Sequence, residues 1–210
     1  MVRWSALASG VTGLVADLFL VLFYLFFFGF DTGAFLGTVN DVLMVVQYVA
    51  LVPVVLALGR SNRASSGARR WTLVGLVATV AVIVLQVALL AGLPFELQVV
   101  PVSLSSVAAM VWAGGISRTA ALPTAVARLG RLLLVALPVA IAAFAVGFAV
   151  TLVSGVSWAW IAGGLPGLVL WFLFPMWTVR LFTSGALSGT TPPVPERREP
   201  HFRAVHAPPR

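Results

Sequence analysis

Two short segments of this 210-residue chain place an aspartate and a tyrosine seven residues apart inside apolar runs. The first, "DLFLVLFY", runs from Asp17 to Tyr24, and the second, "DVLMVVQY", runs from Asp41 to Tyr48. Seven residues make nearly two helical turns, so each aspartate shares a helix face with its tyrosine. A carboxyl group beside a phenol can titrate, bind a ligand or join two helices through a hydrogen bond. These four residues are therefore the first candidates for function.

Other polar side chains accompany these segments. Asn40 and Gln47 are seven residues apart, directly beside Asp41 and Tyr48. Gln86 lies near the end of the third apolar segment, and Glu96 follows in a short polar stretch. We predict that the ligand-binding residues come from this group, which comprises Asp17, Tyr24, Asn40, Asp41, Gln47, Tyr48, Gln86 and Glu96.

The composition of the chain decides its class. It is 60% hydrophobic and only 9% charged, with a mean hydropathy of +1.07. A soluble domain of this length cannot bury so much apolar surface, so the chain must be an integral membrane protein. Cysteine and lysine are absent, and the two histidines, His201 and His206, lie near the C-terminus. We therefore predict no metal site and no cofactor in the membrane region.

Six apolar segments are long enough to cross a bilayer, for which a helix needs about 20 residues. The sequence thus predicts an all-α bundle of six transmembrane helices within residues 1–182. The remaining residues, 183–210, are rich in proline and charge and are predicted to form a disordered basic cytoplasmic tail. The six predicted spans are roughly 5–29, 34–58, 71–92, 99–117, 132–154 and 158–179.

The positions of the arginines predict the orientation. Every arginine precedes the first span, follows the sixth, or lies in the loop after the second or the fourth. The opposite loops carry Asp31 and Glu96 and no arginine. The positive-inside rule then places both termini in the cytoplasm. The net charge of +7 indicates attraction to anionic lipid head groups and not a nucleic-acid partner.

The first two spans are joined by the short link "FDTG" and must be antiparallel neighbours. Asp17 lies about 18 Å before the end of the first span, near the middle of the bilayer. Reversal of the chain brings Tyr48 near the depth of Asp17 and Tyr24 near the depth of Asp41. The sequence therefore predicts two reciprocal Tyr–Asp hydrogen bonds across this hairpin.

These depths also predict a polar cavity in the outer half of the bundle. Asp17 and Gln47 would form its floor. Asp41, level with Gln86 and below Glu96, is the residue best placed to contact a ligand.

Small residues predict close packing of the last two spans. The sixth span contains "GGLPG", in which Gly163 and Gly167 have the spacing of helix-contact motifs. The fifth span has a small-residue stripe formed by Ala136, Ala140, Ala143 and Gly147.

Three stretches resemble a family of small bacterial membrane proteins frequent in actinobacteria, the domain of unknown function 4386 family. They are "GAFLGTVNDVLMVVQYVALVPVVLAL" (33–58), "SRTAALPTAVARLGRL" (117–132) and "GLPGLVLWFLFPMWTVRL" (164–181). The resemblance implies a six-helix or similar bundle in the plasma membrane. It implies no reaction and no catalytic residue, and Asn40 and Asp41 best match the family's polar pattern.

Three functions are consistent with these features. The first is binding or transport of a small solute, a cation or protons by a protein embedded in the lipid bilayer. The second is a membrane enzyme acting on a lipid or isoprenoid, with Asp17 or Asp41 as general acid. The third is a non-catalytic accessory subunit in which the buried polar residues only hold helices together. The sequence does not choose between an enzyme and a non-enzyme, nor does it give the ligand or the oligomeric state.

Overall fold

A computed structural model describes residues 1–30, 33–62, 66–156 and 158–187. Side chains are described throughout these ranges except at 27–30, 95, 96 and 160. The described chain folds into six α-helices, each long and apolar enough to cross a membrane, which confirms the predicted all-α bundle. The helices are α1 (Val2–Phe30), α2 (Ala34–Ser61), α3 (Ser66–Leu90), α4 (Phe95–Thr119), α5 (Thr124–Ser154) and α6 (Trp158–Thr183). Most of the predicted tail, residues 188–210, lies outside the described residues.

Four helices, α1, α3, α4 and α5, begin earlier than the apolar runs indicate. Proline precedes two of them, Pro94 before α4 and Pro123 before α5, with φ of −56° and −52°. These values suit the start of a helix, because proline fixes φ near −65° and its missing N–H needs no partner there. Glu96 thus belongs to the first turn of α4, so its placement in the connection was wrong.

The six helices form a closed ring. Each helix packs against its neighbours in sequence, and α1 also packs against α6. Short connections make consecutive helices antiparallel, so both ends of the described chain and the α2–α3 and α4–α5 loops lie at one end of the bundle. We call it the arginine end, because all eight described arginines are exposed there, and the other end the distal end. The eight are Arg3, Arg60, Arg69, Arg70, Arg118, Arg128, Arg131 and Arg180.

Aromatic rings fill the axis of the bundle in its arginine half. Trp112 of α4 meets Trp177 of α6 edge-on, with ring centroids 5.4 Å apart. Phe174 stacks on Trp177 at 6.4 Å and on Tyr48 of α2 at 6.2 Å. These four side chains, which we call the aromatic plug, join three helices that are not neighbours in sequence. All four are at most 2% exposed, so this half of the axis is closed by packing.

A second set of contacts closes the ring between α1 and α6 at the arginine end. The Arg3 guanidinium donates from Nε to the Phe182 carbonyl oxygen at 3.1 Å and lies 4.5 Å from the centre of the Phe182 ring. Deeper in the interface, a Cβ added to Gly10 would lie 2.7 Å from Thr178 Oγ1 and 2.8 Å from the Pro175 carbonyl oxygen. Only glycine therefore lets the two helices approach this closely.

Helices α5 and α6 pack through glycine, as predicted, but not through both glycines of the predicted motif. A Cβ on Gly163 would lie 2.5 Å from the Ala143 carbonyl oxygen and 3.1 Å from the Gly147 Cα atom. A Cβ on Gly167 would have no atom within 4 Å. The contact thus involves Gly147 and Gly163, whereas Gly167 faces open space.

This difference predicts opposite outcomes for two matched alanine variants on one helix. Gly163→Ala should lower the free energy of unfolding by about 1–3 kcal/mol, because its methyl group meets backbone atoms that cannot rotate away. Gly167→Ala is the control and should leave stability unchanged or slightly higher. Denaturant unfolding in detergent micelles measures both, and equal stabilities of the two variants would contradict the packing.

Candidate functional site

Polar side chains from three helices meet near the distal end. We call this set, Asn40, Asp41 and Met44 of α2 with Gln86 of α3 and Gln98 of α4, the distal polar network. Gln98 donates from Nε2 to Gln86 Oε1 and to the Leu85 carbonyl oxygen, both at 3.1 Å. Gln86 and Gln98 are each 2% exposed. Two buried amides therefore join α3 to α4 just inside the distal surface.

The network holds one carboxyl group. The Asp41 side chain interacts with the Gln86 side chain and accepts a hydrogen bond from Asn40 Nδ2 at 3.4 Å. Gln86 Nε2 also lies 3.1 Å from the Met44 sulfur. Asp41 is half-buried and therefore has access to the surface, whereas the amides of Asn40, Gln86 and Gln98 are buried. Its described partners are neutral amides, and no ion pair with it is formed in the described part of the chain.

A second polar group lies at mid-membrane depth. We call Asp17 of α1, Tyr48 of α2 and Ser106 of α4 the mid-membrane cluster. Asp17 is fifteen residues from the start of α1, about 22 Å along the helix, and is 9% exposed. The Tyr48 side chain lies near those of Ser106 and Asp17. Neither Asp17 Oδ2 nor Ser106 Oγ has a hydrogen-bond partner within the described structure.

The predicted reciprocal Tyr–Asp hydrogen bonds are not formed among the described residues. Tyr48 does lie close enough to Asp17 to interact electrostatically, but without a hydrogen bond. Tyr24 is 37% exposed, and its ring packs 5.6 Å from that of Phe23. The physical reason is the rotation of α2: its Asp41 faces Gln86 on α3 and not Tyr24 on α1.

The remaining predicted residues divide between the two groups. Gln47 is 4% exposed and lies against α1, where a Cβ added to Gly13 would be 2.6 Å from the Gln47 Nε2 atom. Gly13 precedes Asp17 by one helical turn, so Gln47 borders the mid-membrane cluster. Asn40 and Gln86 belong to the distal polar network, as given above. Of Glu96, only the backbone is described.

Two residues that complete these groups, Gln98 and Ser106, were not among the predicted ligand-binding residues. Gln98 belongs to the first turn of α4. Its depth gave one usable signal, since Gln86 and Gln98 flank a short connection and lie at the same level on antiparallel helices. Ser106 gives no such signal, because serine is common in membrane helices and only the rotation of α4 turns it toward Tyr48.

Buried polar atoms without partners concentrate near the middle of the bundle. In hydrocarbon such atoms are expensive, so each one calls for an explanation. Within the described residues they are Ser9 Oγ, Asp17 Oδ2, Thr79 Oγ1, Ser106 Oγ and Trp112 Nε1. Asp17, Thr79 and Ser106 all lie about 16–22 Å along their helices. Asp17 is the one ionisable group in this set, and it can therefore bind a proton or a cation.

The described cavities lie elsewhere. Two open grooves of about 700 and 500 Å³ run along the outer surface of α5 and α6. Both are lined by apolar residues, including Val139, Val146 and Trp158 in the larger one. The predicted site residues instead form the two packed polar groups. Among the described residues, no cluster of histidine, aspartate and glutamate could hold a metal ion.

Comparison with known proteins gives no relative from which a function could be transferred. No protein-family model, no curated protein and no solved structure is significantly similar to this chain. The resemblance to the domain of unknown function 4386 family therefore stays a prediction. Any function has to be argued from the two polar groups themselves.

The hydrogen bonds of Gln98 predict its effect on stability. Gln98→Leu should lower the free energy of unfolding by about 1 kcal/mol, because it removes two interhelical hydrogen bonds and leaves Gln86 Oε1 without a donor. Ser103→Leu on the same helix is the control, since Ser103 is exposed and its loss should change stability little. Thermal unfolding in detergent compares them. Equal melting temperatures would show that the amide pair does not stabilise the bundle.

Proposed function

We propose that the chain is a multi-pass protein of a bacterial plasma membrane that binds or transports a small cation, protons or a small polar solute. The observation that carries this proposal is that its two described acids lie within the membrane helices without a cationic partner. Asp17 and Asp41 lie between membrane helices, and no described arginine pairs with either, since all eight are exposed at the arginine end. Carboxyl groups inside a membrane are costly, and they are typically found on ion or substrate pathways.

A purely structural role explains other polar groups better than it explains Asp17. Trp177 Nε1 donates to Ser117 Oγ at 3.1 Å, a buried interhelical hydrogen bond that satisfies both groups. Residues that only join helices should be satisfied in this way. Asp17 Oδ2 has no such bond within the described structure. Its position is therefore better explained by an exchangeable ligand than by helix packing.

The arrangement of the two halves of the bundle supports access of the ligand to Asp17 from the distal end. The distal polar network begins three residues into α4, at Gln98, and includes the half-buried Asp41. Tyr48 follows Asp41 by seven residues, about 10 Å along α2, and adjoins Asp17. The aromatic plug closes the axis on the arginine side. Polar groups thus lead from the distal surface to mid-membrane depth and end there.

The membrane-enzyme and accessory-subunit hypotheses remain predictions without a specific contact in their favour. The two apolar grooves could accommodate a lipid chain. However, neither is lined by Asp17 or Asp41, which would have to act as the acid.

The proposed orientation can be tested with single cysteines, because the chain has no natural cysteine. Ala91→Cys lies in the exposed α3–α4 turn at the distal end, and Ser61→Cys lies at the exposed end of α2. A membrane-impermeant maleimide added to intact cells should label Ala91→Cys and not Ser61→Cys. Permeabilised cells should show both labels. The reverse pattern would overturn the cytoplasmic placement of the arginine end.

Ligand binding should appear as cation-dependent or pH-dependent stability. Because a ligand of the folded state raises its stability with concentration, the melting temperature in detergent should respond to Na⁺, K⁺ or pH. The comparison salt at equal ionic strength is N-methyl-D-glucamine chloride, whose cation is too large for a buried site. Asp17→Asn or Asp41→Asn should abolish the response.

Ser117→Ala is the matched control for this experiment. It removes a buried polar group in the arginine half and should lower stability while leaving the cation or pH response intact. If both aspartate variants retain the wild-type response to all three conditions, these acids do not bind a small cation or a proton.

A further inference from the structure

We propose that the ligand of the mid-membrane cluster is a proton, which Asp17 binds and releases toward the distal side. The inference rests on the proposed function and specifies it: one proton from the distal solution adds to the Asp17 carboxylate and later returns, with no other bond made or broken. It assigns Asp17 the role of proton-binding residue and Tyr48 and Ser106 that of positioning residues.

The number of oxygen atoms around Asp17 favours a proton over a metal cation. Hard cations take about six or more oxygen ligands. Besides the two carboxyl oxygens of Asp17, the described side chains in and beside the mid-membrane cluster supply three oxygen atoms, the hydroxyls of Tyr48 and Ser106 and the amide oxygen of Gln47, which makes fewer than six in all. One turn away, Gly13 has no side chain and is covered by Gln47 and the Pro175 ring. A proton needs only the carboxyl oxygen, and Asp17 Oδ2 is available because it has no described partner.

The charged and titratable groups on the packed helices also favour this assignment. Helix α1 packs against α2 and α6. The described groups on these three helices, besides Asp17, are Arg3 and Tyr24 on α1, Asp41, Tyr48 and Arg60 on α2, and Arg180 on α6. The three arginines are exposed at the arginine end, and Arg3 lies about 21 Å from Asp17 along α1. No described guanidinium therefore neutralises the Asp17 carboxylate. A bound proton would do so.

The route for the proton follows from the same geometry. On the arginine side, the plug residues Phe174 and Trp177 fill the axis and are at most 1% exposed. On the distal side, Asp41 is half-buried, and Tyr48 follows it by about 10 Å along α2 and lies near Asp17 of α1. Carboxyl and hydroxyl groups, including that of Tyr48, can pass protons, whereas the rings of Phe174 and Trp177 on its arginine side cannot. Exchange is therefore expected with the distal solution.

A hydrophobic carbodiimide tests the assignment, because dicyclohexylcarbodiimide reacts with protonated carboxyl groups in apolar surroundings. The full-length protein in detergent is treated at a series of pH values, and peptide mass mapping locates the adduct. We expect an adduct on Asp17 whose rate of formation falls at least tenfold as the pH is raised through the titration of the group. Adding Na⁺ or K⁺ at constant pH should leave that rate unchanged.

Variants make the result specific. Asp17→Asn should eliminate this adduct, and Asp41→Asn should retain it. Asp17→Glu keeps a carboxyl group at the same depth and should retain pH-dependent labelling. Tyr48→Phe removes the hydroxyl but keeps the ring that packs on Phe174, so it should shift the pH profile of Asp17 labelling without preventing folding.

Three outcomes would overturn the inference. Protection by Na⁺ or K⁺ at constant pH would show a metal cation at Asp17, and the proposed function would then stand while the proton assignment fails. The absence of an Asp17 adduct at every pH in the folded wild-type protein would show that the group is not protonated or not accessible. An unchanged pH profile in Tyr48→Phe would show that Tyr48 does not position the proton.

Discussion

The constraint on which the structure depends is that hydrocarbon offers no hydrogen bonds. Inside a bilayer each backbone group must be satisfied within its own helix, which leaves a helical bundle as the architecture for apolar segments of this length. Each polar side chain must likewise find a partner inside the bundle. Some described polar side chains have a hydrogen-bond partner for each buried polar atom and others do not. This difference distinguishes the structural groups from the candidate site.

The bundle has two halves of different character. In the arginine half, four stacked or edge-on aromatic rings join α2, α4 and α6, and Trp177 satisfies its N–H on Ser117. Small residues let α1 approach α6 and α5 approach α6, which closes the ring. In the distal half, the amides of Gln86 on α3 and Gln98 on α4 bond to each other, and the Asn40 amide on α2 donates to Asp41. Asp17 lies where the two halves meet, and it is the carboxyl with an oxygen that no described group satisfies.

The sequence predicted the depth of most candidate site residues in the membrane, but not the direction in which their side chains point around the helix axis. Counting residues along each helix put Asp17 at mid-membrane depth, Tyr48 beside it and Gln86 level with Asp41, and the described contacts agree. Direction around the helix axis was not predictable, because it depends on how six helices pack at once. The hairpin hypothesis treated α1 and α2 as a pair, whereas α2 also packs against α3 and turns Asp41 toward Gln86. Gly163 and Gly167 show the same limit. Both belong to the predicted contact motif, but Gly163 packs against α5 and Gly167 faces open space.

The sequence by itself determined the membrane class, the six spans and the segregation of arginine to one end. These properties depend on composition, length and order, which are local and need no knowledge of neighbours. Only the tertiary structure decided that Gln98 belongs to a buried amide pair, that Asp41 faces Gln86 of α3, and that Asp17, near Tyr48, has an oxygen with no partner among the described residues. These features depend on the rotation of each helix about its axis. That rotation is set by the close packing of the whole ring, because in lipid van der Waals contact between helices replaces the hydrophobic effect as the force that orients them.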